Sequence, residues 1–84
     1  MVRYLRGLHS EAIDQWIQCL NDNSDRILNE HLMSKRYAIV EELASGIKGI
    51  GPEVVLFTAA SIEEYIGRGM PSEMNPFGIC NASE

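Results

Sequence analysis

The sequence predicts an all-α fold, a small bundle of about four helices with a glycine-rich helical hairpin. Apolar residues recur at helical spacing over residues 13–20 and again over residues 27–43. A glycine-rich segment, residues 46–51, separates the second stretch from a further apolar run that Pro52 opens. The 84 residues, 45% of them apolar, suffice for one small domain with a thin core. We expect this helical domain over residues 1–70 and an irregular C-terminal tail over 71–84.

The first helix is predicted over residues 11–21. Ser10 is a favourable N-cap, and acidic residues in the first turn suit the helix dipole. Four apolar residues recur at i, i+3, i+4 and i+7 and form one face, namely Ile13, Trp16, Ile17 and Leu20. Trp16 is therefore expected in the core, with an interface anchor as the alternative. Cys19 lies next to this face and is expected to pack.

A second, longer helix is predicted over residues 25–45, with Ser24 as its cap. Its apolar stripe consists of Ile27, Leu28, Leu32, Ile39, Val40 and Leu43. His31 fills a gap in this stripe, so we expect it to be a partly buried core histidine. Ser45 and Gly46 indicate the C-terminal end of the helix.

The run Val54–Phe57 is apolar at four consecutive positions, which fits a helix buried nearly all round or a buried strand. We favour a helix over residues 53–60, because Pro52 and Glu53 open one well and no partner strand exists. Ser61 and Glu64 have capping-box spacing and predict a separate short helix over residues 62–67.

Charge and composition narrow the classes of function. The formal net charge is −5 and the pI about 4.9, which argues against a generally basic nucleic-acid coat but permits a local positive spot. No apolar run is long enough for a membrane span, and residues 1–6 lack the apolar stretch of a signal peptide. Two cysteines are too few for a disulfide scaffold. These features favour a cytoplasmic protein with reduced thiols.

No enzymatic or metal chemistry is predicted, and no cofactor. The candidate metal ligands His9, Cys19, His31 and Cys80 do not have the clustered spacing of a zinc motif. Carboxylates occur as adjacent pairs, Glu41–Glu42 and Glu63–Glu64, which point in different directions on a helix and indicate solvated faces. The glycine loop also lacks the Gly-Lys-Ser/Thr ending of a nucleotide-binding loop.

The glycine-rich segment is the strongest candidate for a binding site. Gly49 and Gly51 allow backbone dihedral angles that other residues avoid. Ile47 and Ile50 can point inward and hold the loop while its N–H groups face solvent. Outward N–H groups at the start of a helix form an anion site.

Residues 42–66 resemble a helix-hairpin-helix motif, with Ile47, Gly49, Ile50, Gly51 and Pro52 matching its hairpin and Ser61 beginning its next short helix. The resemblance implies that hairpin N–H groups bind DNA phosphates without reading sequence. It implies donors at Gly49 and Gly51, an anchor at Ile50 and added charge at Lys48. Three positions depart from the family pattern, namely Glu53, Val55 and Thr58.

Two functions of different classes follow. The first is a small module that contacts the backbone of duplex nucleic acid through Lys48, Gly49, Ile50 and Gly51. The second is an acidic helical protein-interaction module, acting as a regulator, an inhibitor or a dimeric subunit. The second requires an exposed apolar surface, for which the candidates are Trp16, Met33, Met70 and Met74.

Overall fold

The computed structural model describes residues 9–68, and this part of the chain folds into four helices without any strand, which confirms the all-α prediction. The helices are α1 (Ser10–Asp22), α2 (Ser24–Leu28), α3 (Met33–Ala44) and α4 (Pro52–Gly67). The predicted tail over 71–84 lies outside the described residues, as do Cys80, Met70 and Met74.

Helix α1 agrees with the predicted span 11–21 to within one residue at each end. Its N-cap is His9 rather than Ser10: the His9 Nδ1 atom accepts a hydrogen bond of 3.3 Å from the Glu11 N–H. Asn23 stabilises the other end, because its side-chain amide donates to the Cys19 carbonyl at 2.9 Å. Asn23, and not the expected Ser24, is then the N-cap of α2.

The single helix predicted over residues 25–45 is wrong, because residues 29–32 separate α2 from α3. A continuous helix turns about 100° per residue, so Ile27 and Val40 would lie about 140° apart on its surface. The break lets both reach the core, where neither exposes any of its surface. Leu32 becomes the extended N-cap of α3 and is 58% exposed, and His31 is exposed rather than a core histidine.

The two helices predicted over 53–60 and 62–67 form one continuous helix, α4, which begins at Pro52 as expected. Ser61 is buried inside this helix, and its hydroxyl donates to the Phe57 carbonyl one turn earlier at 3.0 Å. Its side chain therefore does not cap a new helix. The apolar run at the start of α4 is not buried all round either, because Leu56 is 59% exposed.

Helices α3 and α4 make the most extensive helix pair, and α1 packs across them. Trp16 is 1% exposed, and its indole N–H donates to the Thr58 hydroxyl in α4 at 3.1 Å. The expectation that Trp16 belongs to the core is thus confirmed. The buried apolar cluster contains Trp16, Leu20, Ile27, Ile39, Val40, Ala44, Val54, Val55, Ile62 and Tyr65.

A buried arginine joins the start of α3 to the end of α4. Arg36 is 7% exposed and forms an ion pair with Glu63, so Glu63 is not the fully solvated carboxylate that the sequence suggested. This contact and the short connection at the other end show that α3 and α4 run antiparallel. The Arg36 Nε atom is buried without a hydrogen-bond partner.

Candidate functional site: the hairpin between α3 and α4

Residues 45–51 connect α3 to α4 through a succession of tight turns. The Gly46 N–H donates to the Leu43 carbonyl at 3.2 Å, and the Ile47 N–H donates to the Ala44 carbonyl at 3.0 Å. A further turn brings the Ile50 N–H to the Ile47 carbonyl at 3.3 Å. These three hydrogen bonds pair the N–H groups of Gly46, Ile47 and Ile50 with carbonyl groups of the hairpin and of the end of α3.

The inner side of the hairpin rests on the core and on α1. Ile47 and Ile50 are half-buried and pack against the apolar cluster, as their spacing predicted. Gly49 has a φ of 102°, which side-chain-bearing residues rarely adopt, and a Cβ atom placed there would lie 3.4 Å from Ala12 Cβ. The positive φ, and not crowding, is therefore what disfavours other residues here, since 3.4 Å is an ordinary van der Waals distance.

Three N–H groups of the hairpin are unpaired among the described residues. Within residues 9–68, the N–H groups of Lys48, Gly49 and Gly51 donate no hydrogen bond. Lys48 and Gly49 are exposed and Gly51 is half-buried. These donors precede the first turn of α4, a 16-residue helix whose N-terminus carries a positive partial charge. These N–H groups can donate hydrogen bonds to an anionic oxygen.

The backbone conformation that favours glycine at position 49 does not occur at Gly51. It is the N-cap of α4, with φ −99° and ψ 178°, an extended conformation that any residue adopts. A Cβ atom added to it would meet no atom within 4 Å. Neither backbone conformation nor packing within the described structure accounts for this glycine.

The charges around the hairpin are mixed. The three arginines of the described region all form ion pairs, Arg26 with Glu42, Arg36 with Glu63 and Arg68 with Glu64. Lys48 forms none with any described residue, and neither does the chain's other lysine, Lys35. Glu53, in the first turn of α4, is exposed close to the free amides and opposes an anion there.

Two grooves flank the hairpin. The smaller, of about 390 Å³, is lined by His9, Glu11, Ala12, Gln15, Lys48 and Gly49. The larger, of about 570 Å³, is lined by Asp14, Gln15, Gln18, Cys19, Asp22, Asn23, Leu43, Gly46 and Ile47. Burial, together with the nearby Asp22 carboxylate, raises the pKa of the Cys19 thiol, so this cysteine is a poor nucleophile and a poor metal ligand near neutral pH.

The described residues do not assemble the candidate metal ligands. No group of three histidine, cysteine or acidic side chains that could hold an ion occurs within residues 9–68, and Cys80 lies outside this range. In the same range, no helix combines the length and apolar character that crossing a membrane requires. Comparisons with protein families, with curated proteins and with solved structures found no match to this chain.

The four residues predicted to bind, Lys48, Gly49, Ile50 and Gly51, lie together in the hairpin. Ile50 is the member that faces inward, so its part in the site is support rather than contact. Sequence reasoning missed the contribution of α1, whose Ala12 lines the smaller groove together with Gly49 and whose Gln15 lines both grooves. No local pattern signals this packing, because Ala12 and Gly49 are 37 positions apart in the chain.

Proposed function

We propose that the protein is a non-enzymatic binding module whose α3–α4 hairpin contacts phosphate groups of a nucleic-acid backbone without reading its sequence. The N–H groups of Lys48, Gly49 and Gly51 donate to phosphate oxygens, and the Lys48 ammonium adds charge. The resemblance of residues 42–66 to a helix-hairpin-helix motif supports the same mode of binding. Contacts of this kind position a protein on a duplex but carry no sequence information.

The observation that carries the proposal is Gly51. Glycine is only modestly favoured over other residues at an N-cap, and serine, threonine, aspartate or asparagine would cap α4 better. The Cβ atom that each of these side chains would add meets no atom of residues 9–68 within 4 Å. A glycine that the fold does not need is explained if a ligand approaches the backbone closely at this point.

The surrounding charges predict the character of the binding. One lysine and a few amides replace few counterions, so the affinity is expected to be low and to decline with added salt on a shallow slope. Glu53 repels phosphate from the N-terminus of α4. Replacing it with lysine is expected to strengthen binding about three- to tenfold at low salt, because a repulsive charge becomes an attractive one.

The decisive experiment measures fluorescence anisotropy of a labelled DNA duplex at low salt with two matched alanine variants. Gly51→Ala adds one methyl group where the phosphate is proposed to bind, and Gly67→Ala adds one at the opposite end of α4, where the Cβ position is equally open. We expect Gly51→Ala to weaken binding about tenfold or more, an effect of about 1.4 kcal/mol, and Gly67→Ala to leave it unchanged. Equal affinities of the two variants, or no measurable binding by the wild type, would refute the proposal.

The two lysines provide a second matched pair. Lys48→Ala removes the unpaired cation at the hairpin, whereas Lys35→Ala removes an unpaired, exposed cation from α3. Both changes alter the net charge equally, so a general electrostatic attraction would respond to both. The proposal requires that Lys48→Ala reduce the affinity several-fold more than Lys35→Ala, and that amide resonances of Gly49 and Gly51 shift on titration with the duplex.

A separate observation supports the alternative function, a protein-interaction module. Leu32 and Met33 are consecutive in the chain and are 58% and 39% exposed. Trp16, the other candidate anchor, is buried and cannot serve. If this pair forms a self-association surface, sedimentation will show a dimer that Leu32→Ser dissociates. A monomer at high concentration would remove self-association.

A further inference from the structure

The larger groove flanking the hairpin has an apolar floor. Cys19 on α1, Leu43 on α3 and Ile47 in the hairpin are all partly buried and pack against the core, yet they also line this groove. Gly46 adds no side chain, which keeps the groove open on the hairpin side. With a volume of about 570 Å³, the groove is large enough for one or two apolar side chains of a ligand.

Its rim, by contrast, is acidic. Asp14 and Asp22 border the groove, and no cationic side chain lines it. Within residues 9–68 neither carboxylate has an ion-pair partner, although Asp22 accepts a hydrogen bond from Gln18 Nε2 at 2.8 Å. The two lie eight positions apart on α1, which places them about 12 Å apart along the helix axis.

We propose that this groove binds a basic, amphipathic segment of another protein. An apolar side chain of leucine, isoleucine or methionine size enters between Leu43 and Ile47. Two lysine or arginine side chains pair with Asp14 and Asp22. The 12 Å separation is bridged by basic residues about eight positions apart in a helix or about four apart in an extended strand.

The charge complementarity selects this occupant over nucleic acid. A phosphate backbone would face two unpaired carboxylates and find no cation among the lining residues. The groove and the proposed phosphate-binding amides are therefore made of different residues, and the groove proposal does not rest on the nucleic-acid proposal. Both involve the hairpin, so an occupied groove lies directly beside the second site.

The test uses a fluorescein-labelled helical peptide with leucines at its centre and one arginine near each end, about two helical turns apart. Two control peptides carry glutamine in place of the arginines, or place both arginines side by side. We expect the first peptide to bind, and both controls to bind about three- to tenfold more weakly, because each loses at least one ion pair together with the fit. Equal binding of all three peptides would overturn the proposal.

A matched pair of protein variants locates the peptide. Asp14→Asn/Asp22→Asn neutralises the rim, and Glu30→Gln/Glu41→Gln makes the same change in net charge at two carboxylates that do not line the groove. We expect the rim variant to weaken peptide binding about three- to tenfold and the other to change it less than twofold. Equal weakening by the two variants would show a non-specific attraction to an acidic protein and would refute the site.

The alkylation rate of Cys19 measures directly whether the groove is occupied. In a Cys80→Ser background the Cys19 thiol is the single cysteine of the chain. Bound peptide should slow its alkylation several-fold, since the thiol lines the groove. Duplex DNA should leave the rate unchanged, because the residues proposed to contact it do not line this groove. Protection by DNA and none by the peptide would assign the groove to nucleic acid and overturn the proposal.

Discussion

The two sides of the α3–α4 hairpin contain glycines that lie two residues apart and serve different purposes. On the inner side, Gly49 has a positive φ that side-chain-bearing residues rarely adopt, so another residue there would be strained. On the outer side, Gly51 has an ordinary conformation and open space around it. A glycine-rich sequence therefore does not indicate one role, and each glycine has to be assigned from its own dihedral angles and neighbours.

The largest expected difference between the two sides concerns stability. Gly49→Ala forces an alanine to φ 102° and should lower the free energy of unfolding by about 1–3 kcal/mol. In a domain of this size, that corresponds to a melting temperature lower by roughly 5–15 °C. Thermal unfolding followed by circular dichroism measures it. A variant that melts like the wild type would show that the hairpin relaxes without cost, and the contrast with Gly51 would disappear.

The next largest loss of stability is expected when the hydrogen bond that joins α1 to α4 is removed. α1, on which Gly49 rests, is joined to α4 by the buried hydrogen bond from Trp16 to Thr58. Thr58→Val keeps the shape of the side chain but leaves the indole N–H without its acceptor, which should cost about 1–2 kcal/mol. Thr58→Ser retains the hydroxyl and is the control. If valine and serine variants unfold at the same urea concentration, the hydrogen bond contributes nothing measurable.

The rate at which the Cys19 thiol is alkylated tests whether α1 and the hairpin stay packed together. The raised pKa of its thiol leaves less thiolate near neutral pH, so alkylation in a Cys80→Ser background should be slow and should accelerate as the pH rises above the usual range for a thiol. Asp22→Asn removes the smaller cause of the raised pKa, and alkylation should become faster at a fixed pH.

Asp25→Asn, a neutralised acid on α2, serves as the control and should not alter the rate of Cys19 alkylation. Gly49→Ala should accelerate it by loosening the hairpin above the thiol, whereas Gly51→Ala should not. Faster alkylation in the Gly51 variant would contradict the separation of the two sides.

The smallest expected effect is that of Gly51→Ala on stability. Nothing in the described structure lies near the added methyl group, so the only expected loss arises because alanine is a poorer N-cap than glycine, and the free energy of unfolding should fall by no more than about 1 kcal/mol. Urea denaturation, compared directly with Gly49→Ala, measures the difference. A loss as large as that of the Gly49 variant would mean that Gly51 also serves the fold, and the main support for the phosphate-binding proposal would be lost.

The sequence predicted those parts of the fold whose signals are local. Trp16 and its helical neighbours indicated the buried face of α1, and Pro52 indicated the start of α4. The hairpin was predicted because glycines and a proline interrupt the apolar pattern there. Its four candidate residues do lie together, whereas their binding role stays a prediction.

The errors came where non-local packing overrides a local signal. The break at residues 29–32 contains neither glycine nor proline, and it exists because Ile27 and Val40 must both reach one core. Ser61 has the spacing of a cap, yet burial of its neighbours Ala59 and Ile62 continues the helix through it. The Arg36–Glu63 pair joins positions 27 apart, which no periodicity in a single sequence reveals.

The burial of Trp16 makes its fluorescence a probe of the folded state. It is the chain's sole tryptophan, 1% exposed, with its indole N–H held by Thr58. Its fluorescence in the native state should resemble that of an indole in an apolar solvent and should shift to longer wavelength on unfolding. The protein thus contains an intrinsic optical probe of unfolding at the junction of α1 and α4.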